Sequence, residues 1–127
     1  MIVVLIHWRI KTSNEAVTEF FEWWKSKAVI ADKTNLVGEF LSAPLPASRF
    51  PFRVDDLSHK GKEVDHRAFV NLGIWRDWES FYEQVGKNFN DNNPPLPFEA
   101  ARRSRTILEP NEWRIGKSPL PEQGTCD

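Results

Sequence analysis

The sequence predicts an α+β domain in which two helices cover one face of a four-stranded antiparallel sheet. Three observations predict it. Four short stretches, 2–10, 36–42, 66–75 and 103–108, are rich in β-branched and aromatic residues and have strand length. Two stretches between them repeat apolar residues at the helical period. The resulting order is β-α-β-β-α-β, and right-handed crossovers place both helices on the same side of the sheet.

The first strand is "IVVLIHWRI". Behind it, Thr12 and Glu15 stand three apart, the spacing of a capping box, and open the first helix. Its stripe is Val17, Phe20, Phe21, Trp24 and Ala28. The second strand is 36–42. Residues 43–65, Pro-rich and then charged, form a long connection to the third strand at 66–75. Asp77 caps the second helix, with a stripe of Trp78, Phe81, Tyr82, Val85 and Phe89. "NDNNPPLP" breaks the chain before the fourth strand at 103–108. The folded domain is thus expected over 1–108. Residues 109–127, with repeated Pro and Gly, are expected to be an extended tail anchored by Trp113 and Ile115.

Composition fits a packed core. Of 127 residues, 40% are hydrophobic and 13% aromatic, and the net charge is −1. That charge gives no general attraction to nucleic acid or anionic membrane. Cys126 has no second cysteine to pair with. The amino-terminal apolar run is too short for a membrane span and lacks the flanks of a signal peptide. A cytoplasmic protein is expected.

Side chains alternate between the faces of a strand. In the first strand, Ile2, Val4, Ile6, Trp8 and Ile10 share one side, and Val3, Leu5, His7 and Arg9 the other. In the third, Ala68, Val70, Leu72 and Ile74 share one side, and Phe69, Asn71, Gly73 and Trp75 the other. The wholly apolar sides are expected under the helices, with Phe20, Trp24, Phe81 and Val85 packing on Val4, Ile6, Val70 and Leu72. Val3, Leu5, Phe69 and Trp75 would then leave an apolar patch beside His7, Arg9 and Asn71. A patch of that kind marks an interface or a groove, and a second copy of the chain is the simplest cover.

The β-α-β-β-α-β order, with "VNLGIWRDWESFYEQVGKNF", resembles the dimeric α/β-barrel (ferredoxin-like) superfamily. That superfamily includes cofactor-free antibiotic-biosynthesis-type monooxygenases and muconolactone isomerases. The resemblance covers about 1–108. It implies a homodimer with two sheets packed face to face. It also implies a small-molecule site that takes a proton next to a carbonyl, without a bound cofactor.

Six residues are candidates for such a site. His7 would be the base, since an imidazole titrates near neutrality. Asn71 or Arg9 would hold the developing oxyanion. Trp75 and Phe69 would sandwich a flat ring. Arg105, in the run "RRSR", would hold an anionic substrate, and Glu39 would pair with His7 or Arg105 if that carboxylate points inward. The structural alternatives are a histidine satisfied by the backbone, an asparagine bridging strands, and aromatics filling the core. His59 and His66 have no partner at metal-ligand spacing, and no zinc pattern is visible. Three functions stay open: a cofactor-free monooxygenase or isomerase, a non-catalytic ligand-binding or regulatory dimer, and an RNA-recognition module. For the third, "AFVNL" matches only part of the aromatic third-strand motif. The expected partners are a second copy and a small organic molecule, with no nucleic acid and no membrane.

Overall fold

The structure, a computed structural model, describes residues 1–57 and 65–124. His59 and Cys126, weighed above, lie outside the described residues. The elements are β1 (Ile2–Ile10), α1 (Asn14–Ser26), β2 (Leu36–Ser42), β3 (Arg67–Trp75), α2 (Trp78–Gln84) and β4 (Glu99–Leu108). The sheet order is β2-β3-β1-β4, and every neighbouring pair is antiparallel. This is the expected ferredoxin-like arrangement. β4 begins four residues earlier than its β-branched residues suggest, because Glu99 to Arg102 extend the ladder along β1.

Helix boundaries follow their caps. Ser13, one residue after Thr12, is the N-cap of α1, and its Oγ accepts the Ala16 N–H at 3.2 Å. Asp77 caps α2 as expected, with Oδ1 accepting the Ser80 N–H at 2.7 Å. α2 ends at Gln84, and Gly86 opens a single 3₁₀ turn. Gly86 lies so close to Phe81 that a Cβ there would stand 3.1 Å from its ring.

The core lies between sheet and helices. Phe20 of α1 is fully buried and packs at a tilt against the rings of Trp8, Phe69 and Phe98 at centroid distances of 4.9–5.5 Å. Phe81 of α2 is buried against Trp75. Trp78 and Tyr82, expected on the buried stripe, instead stack on each other at the surface. A helix this short has room for one inward turn, and Phe81 occupies it.

One expectation about β3 is reversed. Ile2, Val4, Ile6 and Trp8 face the helices as predicted, but they stand opposite Trp75, Gly73, Asn71 and Phe69. Residues directly opposite across two strands share a face. Phe69, Asn71 and Trp75 are therefore buried under the helices. Val70 and Leu72 point away, so they do not form the floor expected for Phe20, Trp24, Phe81 and Val85. The reason is payload. A Phe or Trp buries about 150–250 Å², more than the aliphatics it displaces, and Asn71 finds hydrogen-bond partners inside.

The other sheet face carries Val3, Leu5, His7 and Arg9 of β1 opposite Ile74, Leu72, Val70 and Ala68 of β3, all half-buried. It is more aliphatic than expected. Trp113 and Ile115, expected to anchor the tail, are exposed. Leu120 does touch this face: a Cβ on Gly38 would stand 3.2 Å from its Cδ1.

Candidate functional site

The sheet divides the predicted site residues into two groups. Asn71, Trp75 and Phe69 lie on the helix side with Arg105, the partner of Ile6 in β4. His7 and Arg9 lie on the open side. The expected convergence of His7, Arg9, Asn71 and Trp75 on one face therefore does not occur, because β3 is turned over relative to that reading.

On the helix side, Asn71 is the centre of a polar cluster. Its Oδ1 accepts the Trp24 Nε1–H of α1 at 2.8 Å. Its amide also bonds the carboxyl of Glu39, which faces inward from β2 beside Gly73. Burial is the main influence on Glu39 and raises its pKa above the ordinary glutamate value. The Asn71 hydrogen bond and the charge of Lys33 oppose that rise. Gly73 leaves a notch no more than a methyl group wide here. A Cβ in its place would stand 3.4 Å from Trp75 Nε1 and 3.7 Å from Glu39 Oε2. The notch thus has a carboxyl oxygen on one side and an indole N–H on the other.

Phe69 and Arg105 are placed elsewhere. Phe69 is packed against Phe20 and Phe21, away from the notch. An exposed stacking platform on the third strand, which the RNA-recognition reading requires, is therefore not formed by Phe69. Arg105 lies 4.0 Å over the Phe89 ring and pairs with Asp91 at 2.8 Å. That pairing holds the Asp91 carboxyl below the usual range. Glu39 thus pairs with neither His7 nor Arg105.

On the open side, His7, Arg9, His66 and Ser104 line a recess walled by Leu57 and Val70. His7 Nε2 is 3.2 Å from Thr106 Oγ1. A separate cleft of about 250 Å³ lies between Asp32–Asn35 and α2, bordered by Ser80, Glu83 and Gln84. Among the described residues, no three His, Cys, Asp or Glu side chains come together to hold a metal ion. Among the same residues, no helix is long and apolar enough to cross a membrane.

Trp24 and Glu39 carry the cluster, and neither is among the six candidates from sequence. A carboxylate in the otherwise apolar "LVGEFLS" was the available signal for Glu39. For Trp24 it was an indole N–H that burial obliges to find an acceptor.

No protein-family model matches the chain, and a search of curated proteins finds no match. Among solved structures, the chain is similar to an arginine-to-serine mutant of MhuD, crystallised with two manganese protoporphyrin IX molecules bound per active site. The TM-score is 0.51 at 16% sequence identity, covering 91% of this chain and 100% of that one. The likeness is one of fold: the chain shares a ferredoxin-like architecture with that protein.

Proposed function

We propose that the chain is a small-molecule enzyme of the dimeric α/β-barrel type, in which Glu39 takes a proton from a carbon next to a carbonyl. The observation that supports this most is the raised proton affinity of Glu39 at a notch in the sheet. A buried carboxyl with a perturbed pKa is the form a general base takes. The carboxylate removes the proton, and the C–H electron pair moves to the carbonyl as an enolate. Trp75 Nε1, across the notch, donates to the enolate oxygen. Asn71 holds the carboxyl in place, and Trp24 holds Asn71. Return of the proton to a different carbon completes an isomerisation. Oxygenation of the same enolate requires dioxygen as co-reactant.

The porphyrin of the MhuD structure suggests a second ligand class. The residues here do not fit it between helices and sheet: α1 and α2 contain no histidine, and His7 lies on the opposite face. No step of the proposed reaction runs through a porphyrin.

The homodimer is part of the same proposal. The aliphatic open face, with Val3, Leu5, Val70, Leu72 and Ile74, supports it.

The test is deuterium exchange at the α-carbon of small 1,3-diketones in heavy water, followed by NMR. The intact chain should accelerate exchange and Glu39→Gln should abolish the acceleration. Acceleration that survives Glu39→Gln overturns the assignment. A non-catalytic ligand-binding dimer is the second reading, favoured by the engagement of Asn71 Oδ1 with Trp24. Saturable diketone binding with no exchange would select it.

A further inference from the structure

We propose that the C-terminal tail is the arm with which each chain grips the second copy, Trp113 and Ile115 of one chain seating against the 43–57 connection of the other. This contact rests on the homodimer reading above and completes it. Leu108, Val3, Ile74 and Gly38 are partners in successive strand pairs, so they form one row across an end of the open face. The tail leaves this row at Leu108, on the edge strand β4. Leu120 rejoins it at Gly38, on the edge strand β2. The missing side chain leaves a slot there: a Cβ on Gly38 would stand 3.2 Å from Leu120 Cδ1. Residues 109–119 thus bridge the width of the sheet at that end. Trp113 and Ile115, within the bridge, are 56% and 81% exposed.

The connection stands at the other end of the face. It leaves β2 after Ser42, the partner of Val70, and Leu57 returns beside Val70 and His7. Within it Leu45 and Phe52 are 53% and 66% exposed, and Phe52 stacks on Phe50. One face therefore has an apolar segment at each end and a row of Leu5, Leu72 and Phe40 between them. That arrangement favours a second copy as the occupant. In a two-fold contact the same face serves both chains, and a patch at one end meets the partner's patch from the other end, twice over. A two-fold axis running across the strands brings each tail onto the opposite connection. Area points the same way. The row itself is already half-buried within the chain, whereas a standard interface takes roughly 800 Å² from each partner. One tryptophan can contribute about 150–250 Å², so the two end segments add surface that the row offers sparingly.

Sedimentation equilibrium of the full chain tests this, with circular dichroism to show that each variant is folded. The parent should dimerise at micromolar concentration. Trp113→Ser and Phe52→Ser, at exposed positions, should each weaken the dimer about tenfold or more, because a symmetric contact loses the ring twice. The two together should weaken it by much less than the product of the single effects, the mark of side chains that meet. Val29→Ser, 66% exposed on the loop after α1, should change nothing. If Trp113→Ser does not fold, Ile115→Ser gives the same reading. A monomeric parent would remove the homodimer and this contact with it. A parent dimer that Trp113→Ser leaves equally tight keeps the homodimer and overturns the role of the tail. Independent, multiplicative effects of the two substitutions overturn its pairing with the connection.

Discussion

Glu99 and Arg103, four residues apart on β4, form an ion pair whose carboxylate is completely buried. The guanidinium lies 4.4 Å over the Trp8 ring, and the carboxylate also accepts the Leu96 N–H at 2.9 Å. Removing the arginine leaves a buried charge without compensation. Arg103→Ala should therefore cost on the order of 3–5 kcal/mol, measured by urea unfolding. A loss below about 1 kcal/mol, the worth of an exposed pair, would mean that the carboxylate reaches water.

Phe20 joins α1 to both central strands through Trp8 and Phe69. Truncating it to alanine opens a cavity that these rings cannot collapse to fill. The expected loss is roughly 3–5 kcal/mol. Thermal unfolding should shift accordingly, while Tyr82→Ala, at the surface, should leave the transition nearly in place.

Glu39 makes stability depend on pH in an unusual direction for a carboxylate. Its folded pKa is raised above the unfolded value, chiefly by burial. Below the unfolded value the group is protonated in both states and imposes no electrostatic cost. As pH rises through the folded value, the carboxylate must form where it is poorly solvated, and stability is lost. Glu39→Gln should melt at a higher temperature than the parent at pH 8, and the difference should shrink toward pH 4. A variant less stable than the parent at pH 8 would show that the charge is compensated and the group is structural.

Leu5 faces the open side, opposite Leu72. If two copies meet there, they bury roughly 1,200 Å² or more in total. Leu5→Glu would place two like charges in that contact. Sedimentation at micromolar concentration should show a dimer for the parent and a monomer for the variant, with the helical circular dichroism retained. A monomeric parent would remove the interface.

Most of the architecture was legible in the sequence, and the reason is periodicity. β1 and β2 have the expected bounds, and Asp77 announces α2. The site was legible only as residue types. Asn71 and Trp75 were named, but their face depends on β3, and β3 is apolar on both sides. Alternation cannot orient such a strand. The register of Ile6 against Asn71 does, and register is a property of two strands together. Glu39 illustrates the same limit: its inward direction follows from its pairing with Gly73.

β4 is an edge strand, and its ladder with β1 shifts register between His7 and Arg9 and again before Ile10. These irregularities fall in the stretch that carries Arg102 and Arg103. A bulged, positively charged margin is a poor template for another chain's backbone. Runaway strand addition, the first step toward a fibril, is discouraged on that side of the molecule. The proposed self-association uses the aliphatic face instead. Contact through one self-complementary face closes after two subunits, so assembly there terminates instead of growing.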